Sequence, residues 1–524
     1  MTFRPSRRQI IGAPMAMAPF VIASGGMALV RGPAAPLFSL GVASGEPSAD
    51  GVVLWTRLAP EPLAPGGGLG DARVPVRWEV AEDEQFRRIV RRGEVRATPE
   101  DGHSLHVEVG GLRPAHVYHY RFLSLGQVSP VGRTRTAPAA DATVDRLRIC
   151  YGSCQKYEVG HYAAWTHAIA EDPDLILFLG DYIYEGAPNP KALRPHLNPE
   201  PFDLPGYRLR YASYKLDPLL QAAHAAAPWM TIWDDHEVAN DYAGQWDQHY
   251  GDPARFLARR AAAYQAYWEH MPLRRASHPA GPWARLYRRL DWGRLARIVM
   301  LDDRQYRDDR PCQPAPDANG QRRYDYLVAD CGARHAPNLS MLGARQEGWL
   351  NEELGGRQAR WNLLAQQTLM TPFPTIDPKQ PDKGAMFHSV DRWEGFPAAR
   401  DRIFRRWVAA GTANPIVLSG DIHAFAATDL RDPDRPDGAP IASEFVGGSI
   451  TSLNPDPLFK STAAATTGFH YAENLVRGYG RIDLSGGHCD VTFRGLADAR
   501  DPRSPIADLA RFTVEAGRPG LQMA

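Results

Sequence analysis

The amino-acid sequence predicts an α/β chain with a small all-β module in front of it. Three observations carry this prediction. The composition, 44% apolar and 23% charged over 524 residues, is that of a globular chain able to bury more than one core. Residues 38–140 alternate apolar and polar side chains in short runs broken by Gly and Pro. From residue 146 onward, apolar runs of strand length alternate with capped helical segments, the pattern of a sheet covered on both faces.

Residues 1–37 belong to neither part. Arg4, Arg7 and Arg8 precede a mildly apolar stretch, Ile10 to Val30, that Pro14 and Pro19 interrupt. A bilayer-crossing helix needs about 20 strongly apolar residues, and this stretch is diluted with Ala, Gly and Pro. The run Ser6-Arg7-Arg8-Gln9-Ile10-Ile11 resembles a twin-arginine export signal, an address rather than an anchor. The expectation is a leader cleaved between Ala23 and Ala35, the twin-arginine translocon as export partner, and a periplasmic or secreted product. An uncleaved signal anchor is the alternative. No later stretch is fit to span a bilayer, so a soluble mature chain without a stable membrane anchor is expected. With 60 Lys+Arg against 60 Asp+Glu, no nucleic-acid-binding surface is expected either, and the chain is read as a monomer.

In the all-β part, residues 52–56, 74–80, 105–109 and 117–122 read as strands. Such strands within roughly 100 residues resemble a fibronectin type III module. Residues 137–141 carry no period and read as a linker. Beyond it, residues 147–152 read as a strand, 162–171 as a helix and 175–179 as a fully buried strand. Asp217-Pro218 and Asp252-Pro253 each place an N-cap before a Pro in the first helical turn, the second helix running to Met271. A strand over 229–233, helices over 342–354 and 402–410, and a strand over 416–418 complete the domain, 146–499. Residues 500–524 form a mixed C-terminal tail, read as a lid or an extra helix. The five cysteines leave at least one thiol unpaired; Cys312 and Cys331 flank a polar loop and suit a disulfide, whereas Cys150 reads as packed.

Each buried strand ends in a burst of residues of the types that serve as metal ligands. The first is followed by Ser153-Cys154, the second by Gly180-Asp181-Tyr182-Ile183-Tyr184-Glu185, the third by Asp234-Asp235-His236-Glu237-Val238-Ala239-Asn240, the last by Gly420-Asp421-Ile422-His423. Sites in α/β sheets form beyond the carboxyl ends of strands, so four such endings can converge. A single carboxylate there is as readily a helix cap; four endings together point to a site. Thiolate and phenolate suit an acidic ion such as Fe(III), and carboxylate and amide oxygens suit Ca, Mg or Mn. A shared carboxylate can bridge two cations and hold a phosphoryl group in line, which makes a multinuclear metallohydrolase the expected class. Two rivals fail. His236-Glu237-Val238-Ala239-Asn240 has Asn where a zinc protease helix needs its second His, and Gly152-Ser153-Cys154 lacks the form of a hydrolase nucleophile elbow.

The ordered set Gly-Ser-Cys, Gly-Asp-Tyr-Ile-Tyr-Glu, Asp-Asp-His-Glu-Val-x-Asn and Ser-Gly-Asp-Ile-His resembles the PhoD-type alkaline phosphatases, calcineurin-like metallophosphoesterases related to purple acid phosphatases. Supporting stretches begin at Phe38, Leu301, Leu342 and Phe396, so the resemblance spans nearly the whole chain. It implies a two-sheet α/β/β/α sandwich, with Fe(III) held by Cys154, Asp181, Tyr184 and His423. It also implies Ca held by Asp181, Asp235, Asn240 and Asp421. Leu301-Asp302-Asp303-Arg304 departs from the Asp-Thr-Arg of that family and leaves Asp303 without a role.

His236 is the expected general acid for the leaving alkoxide, the alternative being a core His bonded to a backbone carbonyl. Arg304 has two candidate roles, a bidentate phosphate clamp or a structural salt bridge. The expected function is an exported phosphoesterase that cleaves phosphate monoesters and diesters by metal-hydroxide attack on phosphorus, for phosphate scavenging. Phospholipase D-like cleavage of lipid headgroups is the rival within the enzyme class. A non-catalytic exported binding protein is the rival outside it.

Overall fold

The computed structural model describes residues 35–355, 359–376 and 386–524. The expected leader therefore lies, through residue 34, outside the described residues. Strand Leu175–Leu179 is buried at every position and pairs in parallel with Arg146–Gly152 on one side and Pro228–Ile232 on the other. The crossovers include helices Ala163–Ala170 and Pro218–Ala226. The second starts where the cap predicts: the Asp217 carboxylate accepts the amides of Leu219 and Leu220. Asp252 caps Pro253–His270 in the same way through the amide of Ala254.

This sheet grows to ten strands by recruiting from both ends of the chain. On one side lie Gly478–Ser485, His488–Leu496, Ile506–Glu515 and Arg518–Met523. The tail is thus an edge hairpin, not a lid or an extra helix. Ala510, Phe512 and Val514 are buried alternately with Arg511 and Thr513, the strand period of two. On the other side lie Val42–Gly45, parallel to Pro228–Ile232, then Val52–Arg57 and Ser104–Val109. These strands also form one layer of the N-terminal β-sandwich, whose second layer is a five-stranded antiparallel sheet around Val74–Ala81 and Val117–Ser124. Val52, Leu54 and Val107 meet Val76, Tyr120 and Phe122 in the core between the layers. A continuous sheet therefore joins the residues on either side of the 137–141 segment, and Pro36–Ala524 forms one compact unit.

The second large sheet has seven strands, with Ala296–Met300, Trp361–Ala365, Pro415–Ser419 and Pro440–Gly447 parallel neighbours. Ile298, Leu363, Ile416 and Leu418 face the first sheet and share a core with Ile149 and Leu177. The intervening Val299, Leu364 and Val417 face outward onto Leu350 and Leu354 of helix Gly343–Gly355 and onto Ile403 and Phe404 of helix Pro397–Ala410. This division of alternate side chains gives the α/β/β/α sandwich that the resemblance implies.

Candidate metal centre

Three strands of the larger sheet and one of the smaller end at the same place. Beyond them the backbone turns into the left-handed region at Cys154 (φ 59), Asp181 (φ 59), Asp421 (φ 63) and His423 (φ 53). Such residues cost free energy that the surrounding fold must offset, and they gather at functional sites. Gly180 (φ 102) lets two of the loops touch, since a Cβ there would lie 2.4 Å from Asp234 Cβ. Glu237 ties the same loops together by accepting the amides of Asp181 (3.1 Å), Tyr182 and Asp234 (2.7 Å).

Cys154, Asp181 and His423 each offer one ligand atom within 4.8 Å of the others. The Tyr184 hydroxyl lies 2.8 Å from Asp181 Oδ2 and 3.0 Å from His423 Nε2. His423 Nδ1 lies 3.1 Å from the Leu453 carbonyl, which sets the tautomer that frees Nε2 for a ligand bond. Burial and the Asp181 carboxylate raise the Cys154 thiol and the Tyr184 phenol well above their ordinary values. A cation reverses that preference, because it binds the deprotonated forms. Asp181 Oδ1 is buried without a hydrogen-bond partner, which a cation would resolve. The donor set fits a metal.

A second cluster joins Asp234, Asp235 and Asp421, and a third Asp181, Asp235 and His236. Asp235 Oδ2 accepts the Asp241 amide at 2.6 Å, while Oδ1 is buried and makes no hydrogen bond. Asn240 donates its side-chain nitrogen to Gln248 at 3.0 Å and keeps its amide oxygen as an acceptor. Asp181, Asp235, Asn240, Asp421, His236 and His423 line a cavity of about 390 Å³, whereas Cys154 and Tyr184 do not. The structure thus gathers every residue singled out as a ligand or acid. Cys150 stands apart, its sulfur 3.7 Å from the Ala168 carbonyl.

Two contributors carried no assigned role in the sequence. Glu185 accepts His236 Nδ1 at 2.7 Å and the Asn240 amide at 2.7 Å, leaving His236 Nε2 for the cavity. His236 is therefore oriented by a carboxylate and not by a backbone carbonyl. Burial opposes its charged form, but Glu185, Asp235 and Asp181 outweigh burial and raise it well above the ordinary value. The other contributor is Asp391, both of whose oxygens lie 2.7 Å from Arg304. Arg304 also meets Asp234, Asp421 at 3.4 Å and Asp235 at 3.6 Å, and is fully buried. Of its two candidate roles, the structure shows the salt bridge. Asp303 is fully buried and, against burial, keeps no hydrogen bond on either oxygen; burial pushes it up to about 7. Cys312 and Cys331 form the expected disulfide.

Known proteins resemble this chain in sequence and fold. The profile of a family described as PhoD-like phosphatase matches residues 149–493, and that of its N-terminal domain matches residues 25–138. Alkaline phosphatase D of Bacillus subtilis (strain 168) is 41% identical over 499 residues, covering 93% of this chain and 82% of that protein. A solved structure described as PhoD superposes with a TM-score of 0.86 at 41% identity, covering 93% of this chain and 92% of the other. A purple acid phosphatase from yellow lupin, PPD1, shares the fold alone, with a TM-score of 0.55 at 12% identity over 91% of this chain and 74% of that one.

Proposed function

Since the chain belongs to the PhoD-like phosphatase family and is homologous to alkaline phosphatase D, we propose that it hydrolyses phosphate monoesters and diesters outside the cytoplasm, in phosphate scavenging. The observation that carries this is the convergence of two donor sets on Asp181 beside one cavity. Cys154, Asp181, Tyr184 and His423 would hold Fe(III), and Asp181, Asp235, Asn240 and Asp421 would hold Ca. When bound, such ions supply Lewis acidity at the phosphoryl group and acidify the attacking water.

The chain's own residues do the rest. Asp181 and Asp235 keep their facing oxygens clear of hydrogen bonds and so available to cations. Glu185 holds the His236 ring through Nδ1 and leaves Nε2–H for the cavity, where the leaving ester oxygen would lie. As the new P–O bond from water forms and the ester P–O bond breaks, His236 gives its proton to the departing alkoxide. The Cys312–Cys331 disulfide supports an oxidising compartment, in keeping with export through the twin-arginine translocon. No helix among the described residues is long and apolar enough to cross a membrane. We read the protein as a monomer.

A second substrate class has one observation in its favour. Phe373, Leu453, Leu458 and Phe459 give the cavity an apolar wall, which suits phospholipase D-like cleavage of a lipid headgroup. The deciding experiment compares initial rates on an aryl phosphate monoester, the matching diester and a phospholipid at about pH 8 with Ca, where a metal-bound water of pKa ~7 is ionised. Turnover of an aryl ester supports the phosphoesterase assignment, and turnover of the phospholipid alone replaces it with the second class. Turnover of none, in protein containing iron, overturns both.

A further inference from the structure

Two arginines stand beside the cavity in opposite circumstances. Arg304 is enclosed by four carboxylates and has no access to a ligand. Arg392 lines the cavity, is 8% exposed, and its side chain donates no hydrogen bond to any described residue, its Nε being buried without a partner. Among the described lining residues it is the one Arg or Lys.

Among the described residues no acid is ion-paired to Arg392, although one Glu394 oxygen is buried without a hydrogen-bond partner. Asp391, its neighbour in the chain, is held by Arg304 at 2.7 Å and by Arg307 at 2.5 Å. Glu394 holds His388 Nδ1 at 2.8 Å. The nearest ring, Tyr326, is centred 5.9 Å away. Burial opposes the charge, but Tyr326, Glu394, Asp421 and Asp391 outweigh it and hold Arg392 above its ordinary value. A charged, buried guanidinium with open donors is costly unless an anion meets it. Its planar fork matches two oxygens of one phosphoryl group.

We propose that Arg392 binds the nonbridging phosphoryl oxygens of the substrate and biases the enzyme toward monoesters. The proposal rests on the phosphoesterase reading above. A phosphomonoester carries two negative charges near pH 8 and a diester one, so a guanidinium contact favours the monoester. The apolar wall formed by Phe373, Leu453 and Leu458 is then left for the ester substituent.

The test uses the full, metal-loaded chain and the variants Arg392→Gln and Arg392→Lys. It reads KM and kcat on the aryl monoester and diester, and inorganic phosphate affinity by calorimetry. Arg392→Gln is expected to weaken phosphate binding and raise the monoester KM by about 10- to 100-fold, the worth of one charged hydrogen-bond pair. The diester KM should rise several-fold less, and Arg392→Lys should fall between Gln and wild type. Unchanged phosphate affinity in both variants, or equal losses on the two esters, overturns the proposal. If Arg392→Gln does not fold, Arg392→Lys decides: weakened phosphate binding supports the fork contact, and wild-type binding overturns it. If the wild type turns over neither ester, the phosphoesterase reading fails, and calorimetry still judges Arg392. Phosphate binding lost in Arg392→Gln then keeps the anion site, while binding unaffected or absent in the wild type removes it.

Discussion

The two halves of the candidate centre share Asp181 but are built on opposite plans. The half around Cys154, Tyr184 and His423 is the more closed: Cys154 is fully buried, Tyr184 is 3% exposed and neither lines the cavity, which His423 and the shared Asp181 do reach. Among the described residues no arginine or lysine is ion-paired to it, and the only ion pair within it joins His423 to Asp181 at 3.8 Å. The half around Asp235, Asn240 and Asp421 opens on the cavity and carries Arg304 beneath it, 3.6 Å from Asp235 and 3.4 Å from Asp421. The difference teaches how each half is neutralised. The closed half has only Arg477, on the His423 carbonyl, and Lys156, over the Tyr184 ring, as nearby protein cations, so a cation bound there should be held tightly. The open half receives part of its positive charge from the protein, so its ion should exchange with solvent.

Asp181→Asn strikes the residue common to both halves and carries the largest expected effect. Turnover should fall by about 10³-fold or more, and iron content should fall with it. Full turnover in the variant would falsify the shared-ligand assignment. His236→Asn should lower kcat by roughly 10²- to 10⁴-fold on an alkyl ester and far less on an aryl ester whose leaving group needs no proton. Equal losses on the two esters would remove His236 as the acid.

Arg304→Met tests the built-in cation through stability. Leaving Asp234, Asp235, Asp391 and Asp421 buried without it should cost about 3–5 kcal/mol in denaturant unfolding. A cost near zero would mean that the open half is not balanced by the protein. EGTA should inhibit reversibly, with Ca restoring activity and iron content unchanged. Loss of iron together with Ca would erase the contrast between the halves.

The smallest expected effect belongs to Glu185→Gln. Glu185 raises His236, so the acid form persists to higher pH and activity falls as pH rises through that raised value. Replacing the carboxylate should move this descending limb to lower pH and cost about 10-fold in kcat/KM on its alkaline side. An unmoved limb would assign it to a group other than His236.

Much of this site is legible in the sequence, because each ligand follows its strand within a few residues. An apolar run of strand length such as Leu175–Leu179 reads as a buried strand, and the polar burst after it then emerges at the strand's end. The caps at Asp217 and Asp252 are equally local. The hairpin at 506–523 is local as well, since its strands pair with each other and with His488–Leu496; the half-buried, irregular start of Ile506–Glu515 masked its alternation. The role of Glu185 and the one proposed for Arg392 were hidden for another reason: each depends on which charges meet. Glu185 and His236 are 51 residues apart, and Arg304 and Asp391 are 87 apart.

By itself, then, the sequence determined most element types outside the C-terminal tail, the donor chemistry and the place of each candidate donor past a strand, because these follow from side-chain period and local backbone geometry. Only the tertiary structure decided that Arg304 is consumed by carboxylates while Arg392 has no ion pair among the described residues, that Glu185 orients His236, and that the N-terminal sandwich shares a sheet with the phosphatase core. A buried charge is satisfied by whatever packing brings to it, and that packing joins segments far apart in the chain.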